Sequence, residues 1–371
     1  MMRFPARLFA GVRPSGGRRS VESLWTGRVL LTGLLVCGLL VSVPRAQDRV
    51  ILQPLNAGSG TLAVSGSIEE FSGERIVVRD PDGKQVRILL PDQYRLVEVE
   101  TRHSPEYDAG LKAFQAAKYD EARRQWEQAV SKEDRRWMRR EILAWLVRSA
   151  LAQEDLTTAG NRCLKILESD PKSPHLSLLP LKWWPGDVTP APVLNQAAGW
   201  LAEEAEPARL LGASWLLDDA RRSPQAKTTL TELSRSTDAR IRAWATMQLW
   251  RTTLQEKTPG ELQLQGWQQQ WKELPSELRG GPALLLGHAL SRRKEFDLAA
   301  VAYLWPGLLE ADRPQLATRG LLEAAQCLAQ VGQVESAIQL AEELRTRFPN
   351  SPLATEAQGL LAGWNTQLLN P

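Results

Sequence analysis

The chain changes its residue preferences abruptly near position 102, and one uniform layer cannot be built from both sides of that break. Between 48 and 101, eleven of 54 residues are Ile or Val; between 102 and 371, only eleven of 270 are. β-Branched side chains lose rotamer freedom in a helix and pack well on a pleated sheet, so the first stretch predicts strands and the second predicts helices. Trp runs the other way, with thirteen of the fourteen after residue 102. The reading is a small β module followed by a much longer helical one.

Charge is also unevenly placed. Residues 1–47 hold seven Arg and one Glu, whereas 48–371 hold 39 basic and 42 acidic residues. The +3 formal charge of the whole chain therefore comes from the leader. The remainder is mildly acidic, which excludes broad attraction to nucleic acid as its organising property. Six Arg precede the uncharged run Val29–Val43. A basic segment followed by a short apolar run has the shape of a secretory signal, and the run is shorter than the ~20 residues of a perpendicular transmembrane helix. Residues 1–47 are expected to be a signal peptide cleaved after Ala46 or, because Pro44 fits the cleavage rule poorly, an uncleaved N-terminal membrane anchor. Either outcome exports the rest to the periplasm or cell envelope, with membrane contact only through that segment.

Within the β module, Asp48–Gly60 reads as a linker because of Pro54, Gly58, Ser59 and Gly60. Strands are expected at Gly66–Phe71, Glu74–Arg79, Gln85–Leu90 and Arg95–Glu100, with a tight turn at Pro81-Asp82-Gly83. Residues 61–101 would then form a single antiparallel sheet or a small SH3-like barrel. So small a module buries little by itself and should lean on the helices that follow.

From Ser104 the apolar spacing is 3–4, and self-similar units appear. The first combines Gly110, Ala122, Trp126 and Ala129. Arg140–Ser173 has Ala159, Cys163, Ile166 and Pro171; Gly280–Arg313 has Gly287, Phe296, Ala299 and Tyr303; Thr318–Ser351 has Ala325, Val334, Ala337, Ala341 and Pro349. These residues resemble the tetratricopeptide repeat, in which a small residue on one helix lets a large one on the next approach. The resemblance implies an α-solenoid with such repeats over 104–188 and 280–351. The middle, 189–277, fits poorly, although Asp238–Ala245 is similar to the second helix of a HEAT-type repeat. Leu178–Pro192 reads as a Pro-rich inter-repeat loop, and 352–371 as a terminal capping helix.

Three Cys and three His leave little material for a disulfide scaffold or a metal cluster, and no metal or cofactor is expected. His103, His175 and His288 have no partner at ligand spacing, and the adjacent acids Asp218-Asp219 read as solvated charges. Phosphate-loop, nucleophile-elbow and zinc-protease motifs are absent from the sequence. Cys163 and Cys327 read as buried free thiols. The expected function is a non-catalytic scaffold or adaptor that takes an unidentified peptide or protein in the concave face, and no nucleic acid.

The repeat resemblance maps that face onto Tyr107, Phe114, Glu141, Arg148, His288, Arg292, Arg319, Gln326 and Gln330. In this mapping Arg292 and Arg319 suit an acidic peptide or a terminal carboxylate, against the competing expectation that they pair with Glu295 and Glu323. The alternative function is a glycan or cell-wall binder that uses exposed Trp.

Overall fold

The computed structural model describes residues 48–55, 60–185 and 189–369. The expected leader lies outside them. The sheet has five strands where the sequence suggested four, because β1 (Asp48–Pro54) occupies most of the stretch read as a linker. Val50 and Leu52 point inward on alternate positions, 0% and 1% exposed. That period-2 pair ahead of Pro54 is the strand signal, and the Gly/Ser-rich end of the stretch masked it.

β2 (Leu62–Phe71), β3 (Ile76–Arg79), β4 (Val86–Leu89) and β5 (Tyr94–Glu100) complete an antiparallel sheet in the order β4-β3-β2-β1-β5. Val50 of β1 lies opposite Val64 of β2 on one side and Val99 of β5 on the other. Since β5 joins β1 rather than β4, both β4 and β5 remain edges. The sheet is open, not the closed barrel that was one of the two expectations.

The helices run α1 (Pro105–Gln115), α2 (Tyr119–Lys132), α3 (Arg136–Ala152), α4 (Leu156–Ser169), α5 (Ala191–Ala202), α6 (Glu206–Leu216), α7 (Ser223–Leu233), α8 (Ala239–Glu256), α9 (Glu261–Glu273), α10 (Gly280–Arg292), α11 (Phe296–Leu309), α12 (Pro314–Gln330), α13 (Val334–Arg347) and α14 (Pro352–Leu369). The sheet leans on the first of them, as its size required. Val50, Val64, Ile68 and Val78 share one core with Trp126, Trp137, Ile142 and Trp145. The Trp137 indole N–H donates to the Ile68 carbonyl at 3.2 Å, and the Gly73 N–H donates to Asp170 at 3.0 Å.

Four helical hairpins, α1–α2, α3–α4, α10–α11 and α12–α13, share one turn. Each places its second linking residue in the left-handed region: Ala117 (φ 57°), Glu154 (58°), Lys294 (64°) and Gly332 (80°). In each, the next residue's N–H returns to a carbonyl five positions back, Lys118 to Ala113, Asp155 to Ala150, Glu295 to Leu290 and Gln333 to Leu328, at 2.9–3.0 Å. Identical turns at the four places where the sequence set its units make these hairpins one repeated structure. The packing positions agree, since Ala122, Trp126, Ala159, Cys163, Ala299, Tyr303, Ala337 and Ala341 are all fully buried.

Helices α5–α9 fill the expected middle without that turn. Asp238 caps α8 by accepting from the Arg240 N–H at 2.9 Å, and Ile241 is buried. At the other end α14 packs Ala354, Ala357 and Leu361 against Leu321, Leu322 and Leu344. No helix among the described residues is long and apolar enough to cross a membrane.

Candidate functional site

The segment Leu178–Trp184 runs through the interior of the array rather than over it. Leu178, Leu179, Leu181, Lys182 and Trp183 are all buried. An extended backbone inside a protein must find partners, and here side chains of α6 and α8 supply them. Ser214 Oγ accepts the Lys182 N–H at 2.8 Å, and the Lys182 carbonyl accepts from Gln248 Nε2 at 3.1 Å and Arg251 Nη1 at 3.0 Å. The Trp215 indole N–H donates to the Pro180 carbonyl at 2.7 Å. Trp183 lies on the backbone of Gly281, where a Cβ would come within 2.2 Å of the ring. Only glycine permits that approach.

Asp218 completes the arrangement and corrects its reading as a solvated charge. Its Oδ2 takes Arg251 Nη2 at 2.5 Å and Lys182 Nζ at 2.8 Å. Burial pulls the fully buried Arg251 guanidinium below the ordinary arginine value, and Asp218 opposes that pull. The sequence did carry a signal. Ile241, Trp244, Gln248 and Arg251 fall at spacings of three and four on α8, so the arginine sits in an apolar stripe, where a charge persists only with buried acceptors.

The array also turns back on itself. Arg148 Nε of α3 meets Asp312 at 3.2 Å, Gln315 Nε2 of α12 donates to the Leu151 carbonyl at 2.7 Å, and Arg313 Nη1 donates to the Ser177 carbonyl at 2.9 Å. Between these contacts lies a cavity of about 590 Å³. Trp183, Trp184, Trp215, Leu284, Leu316 and Leu353 supply its apolar walls. A second cavity of about 590 Å³ is lined by Lys182, Asp218, Asp219 and His288 among others.

The nine residues mapped onto the concave face fall into four groups. Tyr107, Phe114, Glu141 and Arg148 gather at the first two hairpins. Tyr107 accepts from the Trp145 indole at 2.9 Å, Phe114 meets the Trp145 ring edge-on at 5.6 Å, and Arg148 lies 4.9 Å over that ring. Glu141 pairs with His175 at 3.3 Å. Burial works to raise the Glu141 carboxyl, but the His175 hydrogen bond, with the charges of His175, Arg148 and His103, holds it at about 2.

His288 and Arg319 meet on Trp184 of the interior segment. His288 approaches the ring edge-on at 5.1 Å, and Arg319 lies 4.9 Å over it while pairing with Glu323 at 3.3 Å. Arg292 stands apart from them, exposed and donating to the Leu254 carbonyl, while Glu295 is taken by Arg293. Gln326 and Gln330 continue along α12, half-buried and exposed. Of the nine, Arg319 lines the first cavity and His288 the second.

The remaining candidates also have places. His175 and His103 gain the carboxylate partners Glu141 and Asp108, the latter at 3.7 Å, through the fold rather than through sequence spacing. Cys163 and Cys327 are buried free thiols, pushed up to about 12 and about 11 by burial. All thirteen Trp among the described residues are buried or half-buried, and Trp183, Trp184 and Trp215 line the first cavity. Among the described residues no cluster of His, Cys, Asp and Glu could hold a metal ion. No protein-family model matches the chain, and no curated protein matches it at a significant level.

Proposed function

We propose that the chain is a non-catalytic scaffold or adaptor of the cell envelope, holding a peptide or protein segment on the concave side of a tetratricopeptide-type solenoid. In this reading α5–α9 are HEAT-like or degenerate tetratricopeptide hairpins, and the Arg-rich leader exports the protein. The observation that carries the reading is the 590 Å³ cavity, lined by the interior segment, by α12 and α14, and by single residues of α3, α4, α6 and α10. Its volume and mostly apolar walls are those of a binding site. The shared turn of the four hairpins and the burial of their small and aromatic positions favour the repeat assignment.

Photo-cross-linking tests the proposal in cells. With benzoylphenylalanine at Leu353, on the cavity wall, irradiation should yield a discrete polypeptide adduct. The same group at Gln339, on the exposed side of α13, should yield none. Equal adducts from both positions, or none from Leu353, would remove the cavity from the account.

A further inference from the structure

Cations line the 590 Å³ cavity, but their charge is already committed. Arg313 is buried against Glu310 as an ion pair, and it also donates to the carbonyls of Ser177 and Glu277. Arg319 pairs with Glu323 and covers Trp184. Lys182 directs its ammonium to Asp218 and Thr189, both of which line the second cavity. Asp218 pairs with both Lys182 and Arg251.

The acids of the cavity differ. Glu154, in the left-handed turn between α3 and α4, and Glu356, in the second turn of α14, both line the cavity and are exposed. Among the described residues neither has a cation within ion-pair distance, so the mouth carries two uncompensated carboxylates over an apolar interior. Charges of one sign at the mouth of a low-dielectric cleft concentrate the opposite charge there.

The floor of the cavity shows the form of chain this face accepts. Leu179–Trp184 runs along it outside any helix or strand, with the backbone of Lys182 held by side chains and Trp183 and Trp184 inserted between helices. The open volume continues beside that track.

We infer that the cavity takes an extended peptide segment with one or two large apolar residues flanked by Lys or Arg, the basic residues lying against Glu154 and Glu356. This rests on the reading of the concave cavity as a binding site. It adds the class of segment, and it reverses the acidic ligand that the sequence suggested for Arg292 and Arg319.

The test uses the full chain and three fluorescent peptides with the same Leu-Trp-Leu core and Lys, Ser or Glu flanks, read by anisotropy at low salt. The Lys-flanked peptide should bind about five- to tenfold more tightly than the Ser-flanked one, the range that two exposed ion pairs supply. Glu154→Gln with Glu356→Gln should erase that difference while leaving the Ser-flanked peptide unchanged. Glu154→Lys with Glu356→Lys should turn the preference toward the Glu-flanked peptide. Both positions are exposed, so melting temperature should hold and serves as the folding control.

If all three peptides bind alike, and bind less tightly when Leu353→Trp narrows the cavity, the charge assignment fails and the binding cavity stands. If none binds, or binding ignores Leu353→Trp, the cavity reading itself fails.

Discussion

Arg148 and Asp312 are 164 positions apart in the chain, and Arg148 Nε lies 3.2 Å from Asp312 Oδ2. Together with the bond from Gln315 to the Leu151 carbonyl, this pair closes the second hairpin onto the start of α12. Its two ends are unequal. The Arg148 side chain is 14% exposed and covers Trp145, whereas Asp312 is 42% exposed. Arg148→Ala should therefore cost about 2 kcal/mol through lost packing and cation–π contact, and Asp312→Ala below about 1 kcal/mol. Urea denaturation measures both, and equal small losses would mean that the contact does not hold the array closed.

The first hairpin depends on a missing side chain. A methyl group at Gly110 would come within 2.5 Å of the indole nitrogen of fully buried Trp126. Gly110→Ala should destabilise by about 1–3 kcal/mol and shift the Trp emission. Gly266 in α9 faces open space, so Gly266→Ala should instead stabilise by roughly 0.5–1 kcal/mol. A neutral Gly110→Ala would contradict the close packing of α1 on α2.

Acid should weaken the fold in two separable windows. Burial, with the charge of Arg292, lowers His288 from 6.5 to about 4, so its neutral form is favoured in the folded state. The stability it contributes is complete above pH 6.5 and is lost as pH falls toward 4. Glu141 is held at about 2 against an ordinary 4.5, so its contribution is complete above pH 4.5 and is lost toward 2. Each step is on the order of 1–2 kcal/mol after screening. Denaturation midpoints across pH should flatten in the upper window for His288→Gln and in the lower one for Glu141→Gln. A wild-type profile flat from pH 7 to 3 would contradict both.

Local chemistry wrote the repeat units and the β-to-helix change into the sequence. Gly110 with Trp126 and Gly287 with Tyr303 mark helices that touch, and loss of Ile and Val marks the end of the sheet. What stayed hidden depends on chain direction at long range. Val50 and Leu52 gave too short an alternation beside Pro54 to outweigh the Gly/Ser stretch. Leu178–Pro192 carries loop residues whichever side of the array it occupies, and the interior course of 178–184 became definite only through Ser214, Gln248 and Arg251 from other helices. The repeat mapping named Arg319 and His288, each of which lines a cavity. It could not show that Trp184 of the same chain would meet them.

Hydrogen exchange along 178–184, followed by mass spectrometry on the full chain, tests most directly whether the helical array is built around its own segment. The Lys182 amide is bonded to buried Ser214 and its carbonyl to buried Arg251, so these amides should exchange as slowly as the cores of α6 and α8. Exchange at the rate of an open loop, while those helices remain protected, would contradict the interior course of the segment and the cavity built on it.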